Sequence, residues 1–345
     1  MPGTFLGFPF DEELFNQTWG EAPDPVKTAM LNSGALVEDS QIASMIQNDG
    51  NFYTIPFYNV LSGDPDNYDG QTDINTAETS GDSQSGVVFG RAKGFTARNF
   101  VAELTGADPM GNITRNIATY WQKQDQLRLL KILSGVFGVT GSSGHAKKWH
   151  DNHVVDLGST TATPYKIGIT DLNDLATEAM GDNKSLFSLA IMHSSVAKTL
   201  ENLQVLEYWK QTDANGVQRS LAIGSVNGYT VIIDDGVPTA SVGGSGANKD
   251  LTKYTTYLLG GGVIRTAPGR VDVPSEAYRE PAKNGGQDTL YTRTRKTFHP
   301  NGFSFIPPAS GFSGSPTDAQ LAAAANWAIK FDPKAIPMAA LITNG

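Results

Sequence analysis

The stretch DPMGNITRNIATYWQKQDQLRLLKILSGVFGV, from Asp108 to Val139, predicts one long helix. Asp is a preferred N-cap and Pro suits the first helical position, so Asp108 and Pro109 mark a helix start. Gly138 and Gly141 mark its end. Between them, apolar side chains recur at steps of three and four residues, which is the period of one buried stripe. The stripe comprises Met110, Ile113, Ile117, Tyr120, Trp121, Leu127, Leu130, Leu133, Val136 and Phe137.

The polar side chains of this helix fall between the apolar ones and are expected to face away from the core. They are Arg115, Asn116, Lys123, Gln124, Asp125, Arg128 and Lys131. A helix of this size spans roughly 40 Å at ~1.5 Å per residue, which is long for a globular domain. We therefore expect a spine across which other elements pack.

The composition is that of a globular but lightly charged protein. The chain has 345 residues, of which 39% are hydrophobic and 18% charged, with 37 Gly and 18 Pro. This length is enough for two or three units with cores of their own, and the Gly and Pro content predicts many turns. The net charge of -9 argues against tight binding to nucleic-acid phosphates.

Several kinds of site and segment are disfavoured by what the sequence lacks. There is no Cys, which excludes disulfides, thiolate metal sites and cysteine nucleophiles. The first residues lack the basic start and apolar run of a signal peptide, and no apolar run reaches the length that crosses a membrane. No motif predicts a catalytic site or a cofactor.

Residues 1–50 predict an N-terminal arm with apolar anchors separated by Pro and Gly. The anchors are Phe5, Phe8, Phe10, Leu14, Phe15 and Trp19. Short helices are predicted from Asp24 to Leu31 and from Asp39 or Ser40 to Ile46. Two interpretations remain open, a subdomain folded on its own body and an extended arm laid over neighbouring copies.

Residues 51–95 predict a long two-stranded excursion. Phe52 to Tyr58 and Val87 to Phe95 are rich in residues that favour strands. Between them, the loop from Ser62 to Ser85 is long, polar and acidic, and loops of this length are usually functional or mobile. It is interpreted either as a disordered acidic surface loop or as a flap that becomes ordered on a basic surface of a partner. Its acidic residues are Asp64, Asp66, Asp69, Asp73, Glu78 and Asp82.

Thr140 to Ile169 is interpreted as a polar loop with exposed histidines. His145, His150 and His153 are the cluster that a zinc or iron site would need, and a metal-dependent hydrolase is the alternative function that they suggest. The spacing lacks the glutamate of an H-E-x-x-H motif, which disfavours that alternative.

From Ile169 onwards the pattern predicts alternating helices and strands. Helices are expected from Thr170 to Met180 and after Ser194, and the apolar run from Leu186 to Met192 predicts a strand buried on both faces. Asn227-Gly228 predicts a hairpin turn between the strands Ser220–Val226 and Tyr229–Ile233. Asp234-Asp235-Gly236 is interpreted as a turn, and Ser241 to Asn248 as a flexible loop. A strand from Tyr254 to Arg265 is interrupted by three glycines.

The last third predicts mostly strands. A short strand is expected at Val271–Pro274, a longer one at Thr289–Phe298 and another at Phe303–Ile306, with His299 in the turn between them. Arg293, Arg295 and Lys296 form the clearest basic patch. An Ala-rich helix is predicted from Ser315 to Lys330, and the apolar tail from Ile336 to Ile342 is expected to dock on other parts of the structure.

The order of these parts, with several short phrases, resembles the major capsid proteins of tailed bacteriophages. The phrases are LFSLAIMHSSVAKTLENLQVL from Leu186, IGSVNGYTVIID from Ile223, YLLGGGVIR from Tyr257 and TLYTRTRKTFHPNGFSFIP from Thr289. The resemblance covers roughly residues 50–310. It implies an α+β chain with the fold named after phage HK97, which has an N-terminal arm, an extended E-loop hairpin, a P-domain with a long spine helix, and an A-domain.

The resemblance also implies a division of the chain. Residues 1–50 are the N-terminal arm, 51–95 the E-loop, 96–168 the P-domain with its spine, 169–272 the A-domain, 273–312 the returning strands of the P-domain, and 313–345 a C-terminal extension. The acidic loop and the patch Arg293, Arg295 and Lys296 are then candidates for opposite sides of one contact between copies.

The function implied is that of a shell protein with no enzymatic activity and no cofactor. Copies of the chain would form pentamers and hexamers of an icosahedral shell, assembled in the host cytoplasm and holding double-stranded DNA weakly. Scaffold and portal proteins are the implied partners, and no membrane is involved. Either the scaffold is a separate chain, or the given sequence is the processed form of the protein. Some family members crosslink through a lysine on the E-loop, whereas Ser62 to Ser85 contains none. An encapsulin-like cellular compartment is the alternative that shares this fold.

Overall fold

The computed structural model describes residues 4–5, 8–9, 33–47, 50–61, 63–68, 71, 73–106, 108–158, 163–212, 218–242, 251–309, 311 and 314–345. Most of the predicted arm, including the helix expected from Asp24 to Leu31, lies outside these residues. Two short strands within the arm, β1 (Thr4–Phe5) and β2 (Phe8–Pro9), pair antiparallel. No helix among the described residues is long and apolar enough to cross a membrane.

The helices and strands follow one another along the described chain. The helices are α1 (Ser40–Gln47), α2 (Asn99–Thr105), α3 (Pro109–Phe137), α4 (Gly144–His153), α5 (Asp171–Met180), α6 (Ser194–Asn202) and α7 (Asp318–Ala322). The further strands are β3 (Leu36–Glu38), β4 (Phe52–Tyr58), β5 (Gly81–Val87), β6 (Phe89–Arg98), β7 (Val154–Asp156), β8 (Phe187–Met192), β9 (Glu207–Thr212), β10 (Gln218–Val226), β11 (Tyr229–Ile233), β12 (Thr239–Val242), β13 (Leu251–Gly260), β14 (Ile264–Pro268), β15 (Ser275–Glu280), β16 (Gln287–Pro300), β17 (Phe303–Phe305), β18 (Trp327–Ile329) and β19 (Met338–Thr343).

The predicted spine is confirmed as α3, a helix of 29 residues. The Asp108 carboxylate accepts the Gly111 N–H at 2.9 Å, which is the expected N-cap contact, and Pro109 occupies the first helical position. The prediction of one buried stripe is wrong in the C-terminal half. Asp125 and Arg128 are buried there, whereas Leu127 is 41% exposed. This half is surrounded on several sides, and the two charged residues are buried because they form ion pairs with other elements.

The larger sheet has eight strands. Seven follow the order β7-β19-β13-β8-β11-β10-β9, and β12 pairs with β13. Its central strands are buried on both faces, as predicted for β8. One face packs against α3 and α4 through side chains such as Leu189 and Tyr257, and the other packs against α5 and α6. The predicted turn Asn227-Gly228 joins β10 and β11, and both residues have positive φ, 51° and 86°.

A second sheet of five strands has the order β15-β16-β14-β3, with β6 on the other side of β16. The long strand β16 pairs with β14 and β15 along one edge and with β6 along the other. The α1 helix covers part of this sheet, with Ile42 and Ile46 buried. Asp39 caps α1 by accepting the Gln41 and Ile42 N–H groups, so residues 33–47 of the predicted arm fold on their own body.

The predicted excursion exists, but its second strand begins earlier than expected. β4 matches the predicted strand, and it pairs with β5 from Phe52↔Val87 to Tyr58↔Gly81. Most of the predicted strand Val87–Phe95 instead belongs to β6, which pairs with β16 and lies outside the hairpin. The pattern of β-prone residues runs through both strands, so it could not locate the break at Val88. We call residues 52–87 the hairpin and residues 59–80 its tip.

Three predictions for other segments are wrong. The segment around the histidines forms α4 and not a loop, because Trp149 is fully buried and stacks on Phe137. Val271–Pro274 is not a strand, and β15 follows it instead. His299 lies inside β16 and is buried, so the turn is formed by Asn301 and Gly302 alone.

The C-terminal segment differs from the long helix predicted. It forms the short helix α7, a 3-10 turn at Ala324–Asn326 and then β18, which pairs with β17. The chain leaves the helix because the Trp327 indole is buried against Phe305 and donates to the Leu321 carbonyl at 2.8 Å. The expected docking of the apolar tail is confirmed, since β19 is inserted between β7 and β13.

Candidate assembly surfaces

The root of the hairpin is held to the body by buried polar contacts. Tyr53 on β4 donates its hydroxyl proton to Thr297 Oγ1 at 2.8 Å, and Thr297 donates in turn to the Val87 carbonyl at 2.8 Å. On β5, the Gln84 side-chain oxygen accepts both His299 Nε2–H and the Gly302 N–H at 3.0 Å. Burial raises the pKa of Tyr53, so its hydroxyl stays protonated at neutral pH.

His299 is the titratable member of this root. Its burial, followed by the nearby positive charge of Arg265, lowers the pKa of His299 to about 4. The imidazole is therefore neutral at pH 7, with Nε2 protonated toward Gln84 and Nδ1 buried without a hydrogen-bond partner in the described part of the chain. This cluster was not predicted from the sequence. Its signal was the period-two spacing of Thr297 and His299 on one face of a strand.

The tip of the hairpin, together with Tyr58 at the end of β4, exposes apolar side chains. Tyr58, Val60, Leu61, Tyr68 and Ile74 are between 70% and 91% exposed. Single exposed apolar residues are ordinary, but a group confined to one projecting segment marks an interaction surface.

The acidic residues predicted for contact lie on or beside this tip. Asp64, Asp66, Asp73 and Glu78 are exposed, whereas Asp69 lies outside the described residues. Asp66 is tied within the tip because it accepts the backbone and side-chain N–H groups of Asn75, and these hydrogen bonds lower the pKa of Asp66. Asp82 on β5 instead pairs with Lys330 of the same chain at 3.0 Å.

The basic residues predicted for contact are engaged within their own chain. Arg293 pairs with Glu276 at 3.1 Å, Arg295 donates to the Asn51 side chain at 2.9 Å, and Lys296 pairs with the buried Asp125 at 2.5 Å. Alternation along β16 divides them, because Arg293 and Arg295 lie on the face away from α3 whereas Lys296 faces it. The prediction that this patch receives an acidic flap therefore concerns Arg293 and Arg295 more directly than Lys296.

A charged network that the sequence analysis did not foresee joins α3 to three other elements. Arg128 pairs with Asp125 at 3.0 Å and with Asp318 at 3.2 Å, and Asp318 also pairs with Arg91 of β6 at 2.5 Å. Lys296 completes the network through Asp125. Burial lowers the pKa of Arg128, and its two carboxylate neighbours oppose that shift.

The three predicted histidines do not form a metal site. His145 and His150 lie on the outer side of α4, and His153 is buried, with Nδ1 2.7 Å from the Met338 carbonyl oxygen. Burial lowers the pKa of His153. No group of three metal-binding side chains exists in the part of the chain that the structure describes. The hydrolase alternative therefore has no supporting geometry there.

Asp234 and Asp235 occupy the predicted turn after β11. Asp234 is buried and accepts the Gln126 side-chain N–H of the spine at 2.5 Å and the Gly236 N–H at 2.8 Å. Asp235 is exposed and accepts the Ser194 N–H at 3.0 Å. Both carboxylates connect elements of the fold.

Comparisons with known proteins agree with this architecture. No family model matches the chain. Over 312 residues the chain is 28% identical to the major capsid protein of Bacillus phage SPP1, which covers 90% of this chain and 89% of that protein. The capsid of cyanophage Pam1 is similar in structure, with a TM-score of 0.56, 11% identity and coverage of 95% of this chain and 94% of that one.

A second capsid has the same fold. The capsid of Ralstonia phage GP4 has a TM-score of 0.52 and 11% identity, covering 89% of this chain and 86% of that one. These similarities confirm the predicted α+β fold of the HK97-like type and the predicted resemblance to phage major capsid proteins.

Proposed function

We propose that this chain is the major capsid protein of a tailed bacteriophage, and that its copies form the icosahedral shell around the phage DNA. The observation that carries the proposal is the exposed apolar tip of the hairpin, which belongs to a chain with a capsid fold. The similarity to a phage major capsid protein over nine-tenths of the chain supports it.

The proposed function explains why the tip is apolar. Obligate contacts between subunits commonly bury 2,000 Å2 or more, roughly, and their central residues are apolar. Val60, Leu61 and Ile74 of the tip expose apolar surface to water. Burying that surface against a second copy would stabilise the assembly. A shell subunit needs such surfaces and no catalytic turnover, so we propose that the chain has no enzymatic activity.

The proposal keeps the parts expected from the sequence, with their boundaries moved to the elements of the fold. The hairpin would serve as the E-loop, α3 and the five-stranded sheet as the P-domain, and the eight-stranded sheet with α5 and α6 as the A-domain, so β6 and β14 pass to the P-domain and β7 and β19 to the A-domain. The subunits would form pentamers and hexamers, with a scaffold and a portal as partners. The net charge of -9 fits an inner wall that holds DNA weakly. Assembly would take place in the host cytoplasm, and the virion is the final location.

The acidic tip is proposed to approach the basic surface of a neighbouring copy. Asp64, Asp73 and Glu78 are its exposed carboxylates, and Arg293 and Arg295 are the half-exposed cations on the outer face of β16. Exposed ion pairs contribute only ~0–1 kcal/mol each, so repetition around the shell matters more than any one pair. Both arginines stay partly exposed despite the contacts that they make within their own chain.

Sedimentation and negative-stain electron microscopy of the expressed chain test the proposal. Closed shells of uniform diameter are expected, either from the chain alone or when a scaffold protein is supplied. A chain that remains monomeric under both conditions would contradict the function. Particle contents distinguish the encapsulin-like alternative, because DNA packaging is expected of a phage head and an enclosed cargo protein of a cellular compartment.

A further inference from the structure

The strand β6 has an open edge in the middle of its length. One edge of β6 pairs with β16 over all ten residues, from Phe89↔Lys296 to Arg98↔Gln287. At the start of the other edge, Gly90 donates its N–H to Ser315 Oγ at 2.9 Å and accepts from the same hydroxyl at 3.3 Å. The α2 helix follows directly at the far end.

The direction of the Gly90 backbone groups fixes the direction of the others. Backbone N–H and C=O groups in an antiparallel strand alternate between its two edges, so Ala92, Gly94 and Thr96 point the same way as Gly90. All three residues are exposed, and their outward groups make no hydrogen bond to any part of the chain that the structure describes. Such an edge is a template for another extended chain.

The charges beside this edge select an acidic strand. Lys93 and Arg98 lie on β6 and make no ion pair with any described residue. Edge strands with like charges repel each other, so two copies of β6 are disfavoured as partners. The tip of the hairpin has the complementary composition, because no Lys or Arg lies between Asn59 and Gly90.

We propose that residues 73–80 of the hairpin of a second copy add a strand to the open edge of β6. This segment has the sequence DINTAETS, and all of its residues are exposed. The Asn75 N–H and the Ser80 carbonyl are bonded within the hairpin, which leaves Thr76 to Thr79 to pair with the edge. The inference rests on the proposed function and names the backbone site at which two copies join.

A cavity beside the same edge offers a place for an apolar side chain. Its volume is about 480 Å3, and it lies between the end of β6, α2 and the start of α3. Ala97, Val101, Pro109 and Ile113 are among its lining residues. Ile74 of the docking segment is 70% exposed in its own copy and is the apolar side chain assigned to this cavity.

Hydrogen exchange on assembled shells and on dissociated monomer tests the inference. We expect the Ala92, Gly94 and Thr96 amides, together with the alternate amides of residues 76–79 that face them, to exchange at least about tenfold more slowly in the shell. The Arg91, Lys93 and Phe95 amides, which face β16, should be slow in both states. Unchanged exchange at the three edge amides would overturn the inference, and so would protection of the edge without protection of residues 76–79.

A matched pair of variants gives an independent test. Ala92→Pro removes one outward N–H while leaving the side that pairs with β16, and Pro is tolerated at such edge positions. Ala92→Thr keeps the N–H. We expect Ala92→Pro to raise the protein concentration needed for assembly about tenfold or more and Ala92→Thr to leave it unchanged. Equal assembly of both variants would overturn the inference.

Thermal melts and the unaltered chain separate the remaining outcomes. If the Ala92→Pro monomer melts cooperatively within a few degrees of the parent, any assembly defect lies in the contact between copies. If it does not, the exchange experiment tests the inference in its place. Failure of the unaltered chain to form shells would contradict the proposed function. Shells whose β6 edge exchanges freely would contradict only this inference.

Discussion

His299 and Gln84 join the hairpin to the body through one buried hydrogen bond, which makes the attachment sensitive to acid. The pKa of His299 is about 4 in the folded chain, against an ordinary value of 6.5. Below pH 6.5 the unfolded chain takes up a proton that the folded chain does not accept until about pH 4. The free energy of unfolding therefore falls as the pH falls through this window.

The expected size of this effect is about 3 kcal/mol, at 1.36 kcal/mol for each unit of pKa difference. Chemical denaturation of the monomer between pH 7 and pH 4 measures it. In His299→Gln, whose amide donates to Gln84 without titrating, most of this pH dependence should vanish. Equal slopes for the parent and the variant would show that His299 does not control acid sensitivity. His153, whose pKa is also lowered by burial, contributes a slope of the same sign that both proteins share.

At the scale of elements, α3 connects the two sheets through charges as well as apolar contacts. Asp125 and Arg128 are almost fully buried, and their partners outside α3 are Lys296 of β16 and Asp318 of α7, which in turn pairs with Arg91 of β6. Removing one member of a buried ion pair leaves an uncompensated charge away from water, which is far more costly than losing an exposed pair.

Asp125→Ala is therefore expected to lower the free energy of unfolding by about 3 kcal/mol. The control is Asp151→Ala on α4, which removes a carboxylate that pairs with the exposed Lys147 and should cost at most about 0.5 kcal/mol. Urea denaturation of the two monomers gives both values. Similar losses for the two variants would mean that burial does not increase the contribution of the α3 network to the free energy of unfolding.

The tip of the hairpin provides the complementary case, in which assembly changes and folding does not. Replacing Val60, Leu61 and Ile74 together with Ser should alter monomer stability by less than about 0.5 kcal/mol, because these side chains are exposed. Shell formation should be lost. A control variant carries Ile169→Ser and Leu203→Ser at two exposed positions, one just before α5 and one just after α6, and it should still assemble. Normal shells from the tip variant would contradict the role given to the hairpin.

The sequence was informative where a local pattern determines an element. The cap at Asp108, the turn at Asn227-Gly228 and the apolar run of β8 each carry their own signal, and each prediction is confirmed. The segment around Trp149 and the one after Ser315 were mispredicted because contacts distant in sequence decide them. The indoles of Trp149 and Trp327 are buried by other elements, and no local pattern records this.

The candidate contact residues were predictable only in part. Their acidic or basic character is visible in the sequence, and so is the absence of Lys and Arg from the tip. The contacts that Asp82, Arg293 and Arg295 make within their own chain depend on which strands become neighbours. The open edge of β6 could not be predicted for the same reason. Identifying it requires knowing that β16 is paired along both edges whereas β6 is paired along one.

At the scale of the whole molecule, the absence of lysine from the tip bears on how a finished shell is held together. Copies should not be crosslinked by isopeptide bonds from the hairpin tip, because the tip has no lysine amine that could form one. Boiled shells are therefore expected to run on a denaturing gel as one band of 36.8 kDa. A ladder of higher multiples would refute this expectation.

The central claim is that the hairpin of one copy is covered by another copy in a closed shell. Electron cryomicroscopy of assembled particles tests it most directly. The predicted result is a closed shell in which the hairpin tip, with Val60, Leu61 and Ile74, is buried against the five-stranded sheet of a neighbour. Particles in which the hairpin lies against its own body, or a chain that forms no shell with or without a scaffold, would contradict the claim.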